Sequence, residues 1–112
     1  MIAHVTIHTS KLNETFEFYN WLLGLTVSRK IERPNGDILF LGEDETKFEL
    51  IQDDNALPIN SKGVTIGFAV DNLDEKLAML EERGIAHSDI TGSRFAFFTD
   101  LNGLEIQLYE GH

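Results

Sequence analysis

The sequence contains two copies of one structural unit, and this internal repeat restricts the folds open to the chain. Residues 4–7 (HVTI) align with residues 65–68 (TIGF) at an offset of 61 positions, and LNE at 12–14 aligns with LDE at 73–75 at the same offset. Further along, FEL at 48–50 aligns with IQL at 106–108 at an offset of 58. Self-similarity of this kind is typical of a duplicated supersecondary unit. We therefore expect two related halves.

The first copy has the hydrophobic pattern of a strand, a helix and further strands. In HVTIHT, aliphatic residues alternate with polar ones, which is typical of a half-buried strand. A helix is predicted near residues 13–23, and Gly24 suits its left-handed C-terminus. The strands DILFLG and KFELIQ follow. The predicted apolar stripe of the helix comprises Phe16, Tyr19, Leu22 and Leu23.

The second copy repeats this order with GVTIGFAV as its first strand and a helix over residues 74–83. Its last strands, RFAFFT and LEIQLYE, are joined by the turn DLNG. We predict modules over about 1–54 and 63–110, with a linker over about 53–62, in one domain spanning 1–112. Neither half is expected to be stable alone, because one helix covers only one face of a small sheet.

Composition excludes several classes of function. The 112 residues include no cysteine, so disulfides and thiolate chemistry are absent. The net charge of −10 would repel phosphate backbones, so nucleic acid is not an expected partner. The sequence shows neither the pattern of a signal peptide nor an apolar run long enough for a membrane span. We expect a cytoplasmic protein.

Side-chain alternation places four polar residues on the sheet faces that point away from the helices. Phe48 and Leu50 belong with the first helix, so Glu49 faces the opposite way. The same reasoning places Gln107 on the open face of the second copy. His4 and Thr65 occupy matching positions in the two first strands. The repeat therefore predicts a quartet of His4, Glu49, Thr65 and Gln107 lining a cleft.

The chain resembles the vicinal oxygen chelate superfamily, which includes glyoxalase I, bleomycin-resistance proteins and extradiol dioxygenases. The resembling segments are HVTIHTSKLNETFEFYNWLLGL, KFELIQ, VTIGFAVDNLDEKLAMLEERGI and FFTDLNGLEIQLYE, which together cover most of the chain. The resemblance implies an α+β fold of two tandem βαβββ modules that form a cleft-bearing mixed sheet. It also implies a homodimer, since clefts in this family are often completed between chains.

The resemblance assigns the quartet to a divalent metal site, for nickel, zinc, manganese or iron. His4 and Glu49 match the first histidine and glutamate ligands. The third position, usually histidine, is Thr65, and the fourth, commonly glutamate, is Gln107. A threonine hydroxyl is a feeble ligand, and an amide oxygen contributes no charge. The sequence leaves two interpretations open: a weakened metal site, or a hydrogen-bonded pair of His4 and Glu49 in a binding cleft.

Two functions follow from the resemblance. The first is a metal-dependent lyase or isomerase similar to lactoylglutathione lyase, in which a metal stabilises an enediolate and Glu49 is ligand or base. Gln107 would occupy a proton-transfer position, although an amide takes no proton at neutral pH. The second is a metal-free drug- or metabolite-binding protein of the bleomycin-resistance type.

The remaining histidines fit these roles less well. His8 and Asp53 occupy positions where glyoxalase I commonly has arginine and asparagine, which indicates a substrate other than glutathione conjugates. His87 and His112 are predicted to be exposed.

Overall fold

A computed structural model describes residues 1–60 and 62–111, so the prediction for His112 lies outside the described residues. The chain divides into two units, Met1–Pro58 and Ile59–His112, called here the first and second unit. The division falls within the segment predicted as a linker. Each unit contains one helix and one sheet.

The first unit has the predicted order of strand, helix and three strands. The strand order in its sheet is β1-β4-β3-β2, with β1 parallel to β4 and the other neighbours antiparallel. Parallel neighbours require a crossover connection. The helix is part of this connection, because it follows the first strand along the chain and precedes the other three. The elements are β1 (His4–Thr9), α1 (Leu12–Leu23), β2 (Val27–Ile31), β3 (Ile38–Leu41) and β4 (Lys47–Gln52).

The second unit repeats this topology with one strand fewer among the residues described. Its sheet has the order β5-β7-β6, with β5 parallel and β6 antiparallel to β7. Where the first unit has an additional strand, His87 and Thr91 form single bridges to Phe98 and Phe95. The polar, glycine-containing segment HSDITGS has little strand propensity, which accounts for the missing strand. The elements are β5 (Ile66–Val70), α2 (Leu73–Glu82), β6 (Phe95–Thr99) and β7 (Glu105–Glu110).

The buried stripe of α1 differs from the predicted one. Tyr19 and Leu22 are fully buried, as expected, but Phe16 and Leu23 are only half-buried. Both lie at one edge of the buried stripe. That stripe begins at Leu12, one turn before Phe16, the first residue of the predicted stripe. The buried members are Leu12, Thr15, Phe18, Tyr19 and Leu22.

In each unit the last strand supplies a side chain that caps the helix. The Gln52 amide oxygen accepts a hydrogen bond of 3.0 Å from the backbone N–H of Leu12. The Glu110 carboxylate accepts one of 2.9 Å from the N–H of Leu73. These N–H groups have no partner within their helices, so the contacts satisfy them and fix each helix to its sheet. The two caps occupy equivalent positions in the repeat, with offsets of 58 and 61.

Arg94 strengthens the cap of the second unit. Its guanidinium pairs with Glu110 at 3.0 Å and with Asp74 in the first turn of α2 at 2.9 Å. Arg94 also adopts a positive φ of 74°, which is uncommon for a residue with a side chain. Its charge is therefore used to join strand and helix within the unit.

The turn DLNG closes the hairpin of β6 and β7 as predicted. The buried Asp100 carboxylate accepts hydrogen bonds from the N–H groups of Asn102 at 2.8 Å and Leu104 at 2.9 Å. Gly103 has a φ of +85°, and a Cβ there would lie 2.2 Å from the carbonyl oxygen of Ile59. Only glycine fits this position without moving the backbone.

Replacing Glu110 with alanine should destabilise the second unit. Glu110→Ala removes the helix cap and the Arg94 pair, so we expect a loss of about 1–2 kcal/mol in the free energy of unfolding. Glu110→Gln keeps an oxygen for the Leu73 N–H and should lose less. Urea unfolding followed by circular dichroism measures both. Glu82→Ala, at the exposed C-terminal end of α2, is the control and should cause no loss. Equal stability of Glu110→Ala and the wild type would contradict the proposed role of the cap.

Candidate functional site

The face of the first sheet that points away from α1 carries the predicted residues of this unit. Ile7 and Thr9 of β1 are buried on the helix side, so His4 and Thr6 point to the other side. Thr6 lies directly opposite Glu49 in the parallel ladder of β1 and β4. The predicted alternation along β1 and β4 is thereby confirmed.

His4 and Glu49 come together on this face. His4 Nε2 lies 3.4 Å from Glu49 Oε1, and the Thr6 hydroxyl donates a hydrogen bond to the same oxygen. The Glu49 side chain is only 10% exposed, whereas that of His4 is 46% exposed. The rings of His4 and of Phe40 on β3 are nearly perpendicular, with 5.7 Å between their centroids. The carboxylate is thus held in the sheet and the imidazole faces outward.

The spacing of this pair suits two ligands of one metal ion. Ligands at about 2.0–2.1 Å from a shared ion lie roughly 2.8–3.0 Å apart in octahedral geometry and roughly 3.3–3.4 Å apart in tetrahedral geometry. The observed 3.4 Å between His4 Nε2 and Glu49 Oε1 falls at the upper end of the tetrahedral range. Among residues 1–60 and 62–111, no group of three or more His, Asp or Glu side chains could hold a metal. The first unit therefore offers two strong ligands.

The second unit carries Thr65 and Gln107 in a different arrangement. Gln107 of β7 lies opposite Gly67 of β5, and its amide oxygen would lie 3.2 Å from a Cβ at Gly67. Thr65 precedes β5, and its hydroxyl donates to the Glu105 carboxylate. Gly67 has no side chain, so it cannot donate to Gln107 as Thr6 donates to Glu49. Thr65 pairs instead with Glu105, which is not one of the four predicted residues.

His8 and Asp53 form a second pair of a histidine and a carboxylate in the first unit. His8 Nδ1 lies 3.3 Å from Asp53 Oδ2, and both side chains are more exposed than Glu49. They line a groove of about 280 Å³ with Arg33, whose guanidinium donates to the carbonyl oxygens of Gly36 and Gln52. His8 and Asp53 are therefore a second pair of potential metal ligands, at positions where the resemblance implied contacts with substrate.

The fold is that of a class of α+β proteins built from a duplicated strand–helix–strand unit. Within that class, the chain matches the model of the Glyoxalase/Bleomycin resistance protein/Dioxygenase superfamily over residues 1–108. The chain belongs to this superfamily. The resemblance stated from the sequence and the predicted α+β fold are both confirmed. No curated protein matches the chain.

Several solved structures are similar along nearly the whole chain. A glyoxalase family protein from Enterococcus faecalis is 31% identical, with a TM-score of 0.75 and coverage of 98% of this chain and 97% of that one. The trypanothione-dependent glyoxalase I of Leishmania major is 24% identical, with a TM-score of 0.84 and coverage of 98% and 86%.

A more distant neighbour was determined with a metal. The fosfomycin resistance protein FosX from Listeria monocytogenes, in complex with Mn(II) and 1S,2S-dihydroxypropylphosphonic acid, is 15% identical. Its TM-score is 0.82, and the match covers 100% of this chain and 93% of that one. At this identity the likeness shows the fold alone. In the part of our chain that the structure describes, no helix has the length and apolar character needed to cross a membrane.

His87 is half-buried, whereas the sequence predicts an exposed residue. Its surroundings favour the charged imidazolium. Its side chain is 15% exposed, with Nε2 at 2.7 Å from Glu81 Oε2 and Nδ1 at 2.6 Å from the Ser88 carbonyl oxygen. A neutral imidazole donates only one hydrogen bond, so both contacts require the imidazolium. The Ser88 carbonyl, and then Glu81, raise the pKa of His87 above 6.5, while burial opposes them. The prediction was wrong because Glu81, one residue before the end of α2, binds the His87 ring from the helix.

His87 should make stability depend on pH. A raised pKa means that the protonated form stabilises the folded state fully below the unfolded value near 6.5, and that this contribution is lost as pH rises through the folded pKa. The stability difference between wild type and His87→Ala should therefore be larger at about pH 5.5 than at pH 9. Urea unfolding at both pH values measures the difference. NMR titration of the His87 ring gives a direct check, and a midpoint at or below that of the unfolded chain would contradict the assignment.

Proposed function

We propose that this chain binds a small molecule with neighbouring oxygen atoms through a divalent metal held by His4 and Glu49. The observation that carries the proposal is the 3.4 Å separation of His4 Nε2 and Glu49 Oε1 on adjacent parallel strands. Imidazole and carboxylate together suit zinc, nickel, manganese or iron. Membership of the superfamily supports the same conclusion.

The surroundings of Glu49 support a role as a ligand. The Thr6 hydroxyl donates a hydrogen bond to the carboxylate oxygen that faces His4. It also fixes the orientation of the carboxylate, as partners outside the ligand shell commonly do in metal sites. On the other side, Phe40 limits the positions open to the His4 ring. Both donors are therefore partly preorganised.

The proposed chemistry is that of a lyase or isomerase. The metal, when bound, supplies a Lewis acid that polarises the oxygen atoms of a ligand. Glu49 is the buried carboxylate of this face and would either remain a ligand or accept a proton from the ligand. Gln107 cannot accept a proton, so any proton transfer in the second unit would need another group. Thr65 and Gln107 as further oxygen donors remain predictions, as do the homodimer and the cytoplasmic location.

A metal-free binding protein is the second candidate, favoured by the small number of ligands. Two strong donors are fewer than the three protein ligands of a typical catalytic zinc site. In this alternative, His4 and Glu49 form a polar pair in the wall of a site for organic cations. The net charge of −10 agrees with such ligands.

Metal titration separates the two candidates. Manganese, zinc, nickel and iron(II) are titrated by calorimetry into chelator-treated protein and into His4→Ala and Glu49→Ala. We expect one ion per chain in the wild type. Each substitution removes a ligand, so affinity should fall by more than the roughly 10- to 100-fold that loss of an outer partner costs.

His8→Ala is the matched control, because His8 also lies on β1 beside a carboxylate. It should bind metal as the wild type does. Loss of binding in His8→Ala, with binding retained in His4→Ala, would move the site to the Asp53 pair. Absence of binding by all four metals would leave the metal-free candidate.

A further inference from the structure

The second unit contains a cavity that the metal proposal does not use. It has a volume of about 370 Å³ and is lined by the segment 85–88 together with Phe97, Thr99 and Glu105. This volume lies within the range of small-molecule sites, roughly 300–1,000 Å³. None of the lining residues belongs to the pair of His4 and Glu49.

Residues 85–88, which form one wall of the cavity, are hydrogen-bonded to β6. The Ser88 N–H donates to the Phe97 carbonyl oxygen at 2.8 Å, and the Phe97 N–H donates to the Ser88 hydroxyl oxygen at 2.8 Å. His87 bridges to Phe98 through the backbone and binds Glu81 of α2 through its side chain. The cavity is therefore bounded by ordered structure on both sides.

The charges around the cavity leave one carboxylate without a cationic partner among the described residues. His87 is balanced by Glu81 at 2.7 Å, and Asp89 adds further negative charge nearby. Glu105 receives a hydrogen bond from Thr65 on Oε1, and this contact is neutral. With His87 charged, these groups carry one positive and three negative charges, in a chain whose net charge is −10.

Apolar side chains line the same cavity as Glu105. The ring of Phe97 is half-buried and packs edge to face against Phe95, with 5.7 Å between centroids. Ile85 is also half-buried and lines the same cavity. A cavity lined by an aromatic ring and an exposed carboxylate favours a ligand with an apolar body and a positive end, because both ring and carboxylate attract cations.

We propose that this cavity binds a small organic cation, with its ammonium group on Glu105 and its apolar body against Phe97 and Ile85. The assignment goes beyond the proposed metal site and does not depend on it.

Benzylamine is the probe, and benzyl alcohol is its neutral counterpart. Both are titrated into ¹⁵N-labelled protein while the amide signals of residues 85–88 and 97–99 are followed by NMR. Benzylamine should produce saturable shifts there and should bind at least about threefold more tightly than benzyl alcohol. Glu105→Gln retains an oxygen for the Thr65 hydroxyl and should remove this preference.

Glu82→Gln carries the same charge change on the exposed end of α2 and should leave benzylamine binding unchanged. Equal affinities of the two probes, an unchanged preference in Glu105→Gln, or no saturable shifts at the cavity would overturn the proposal. Glu105→Gln should bind metal as the wild type does, whereas Glu49→Ala should leave the benzylamine shifts of residues 85–88 and 97–99 unchanged. Failure of the cation site is thereby distinguished from failure of the metal site.

Discussion

The parallel pairing of the first and last strands is the constraint on which each unit depends. Parallel neighbours cannot be joined by a tight turn, so the chain must leave the sheet and return through a helix. That helix covers one face, and the opposite face is left to polar and half-buried side chains. The same pairing places Thr6 opposite Glu49, and so brings His4 within 3.4 Å of that carboxylate. The donor pair is therefore a direct consequence of the topology.

Much of this arrangement could be predicted from strand periodicity. The burial of Phe48, Leu50, Ile106 and Leu108 follows the alternation of the sequence, because a period of two fixes which side chains meet the helix. The burial of Glu49 could not be predicted in this way. Its side chain is on the open face and yet only 10% exposed, which depends on neighbours from β1 and β3 that periodicity along β4 does not describe.

The helix caps and His87 show where reasoning from the sequence fails. Gln52 and Glu110 are chemically different, so their equivalence is visible only when each is seen on the first N–H of a helix. His87 lies in a polar segment with the pattern of a loop, six positions after Glu81 in the sequence. Both cases depend on hydrogen bonds between segments that come close only in the folded chain. Hydrophobic patterns carry little information about such contacts.

The charge of Glu49 links stability to binding in the first unit. A largely buried carboxylate needs compensation, and the Thr6 hydroxyl supplies a hydrogen bond but no positive charge. Lys47, on the same strand and face, donates instead to the backbone carbonyl of Asp44. A cation bound beside His4 would supply that charge. Since a metal requires the neutral imidazole, protons and metal compete for His4, and metal affinity should weaken as the solution is acidified. A largely buried acid beside a single histidine therefore agrees with both candidate functions: without a metal the pair lines a binding site, and with a metal it is the centre of one.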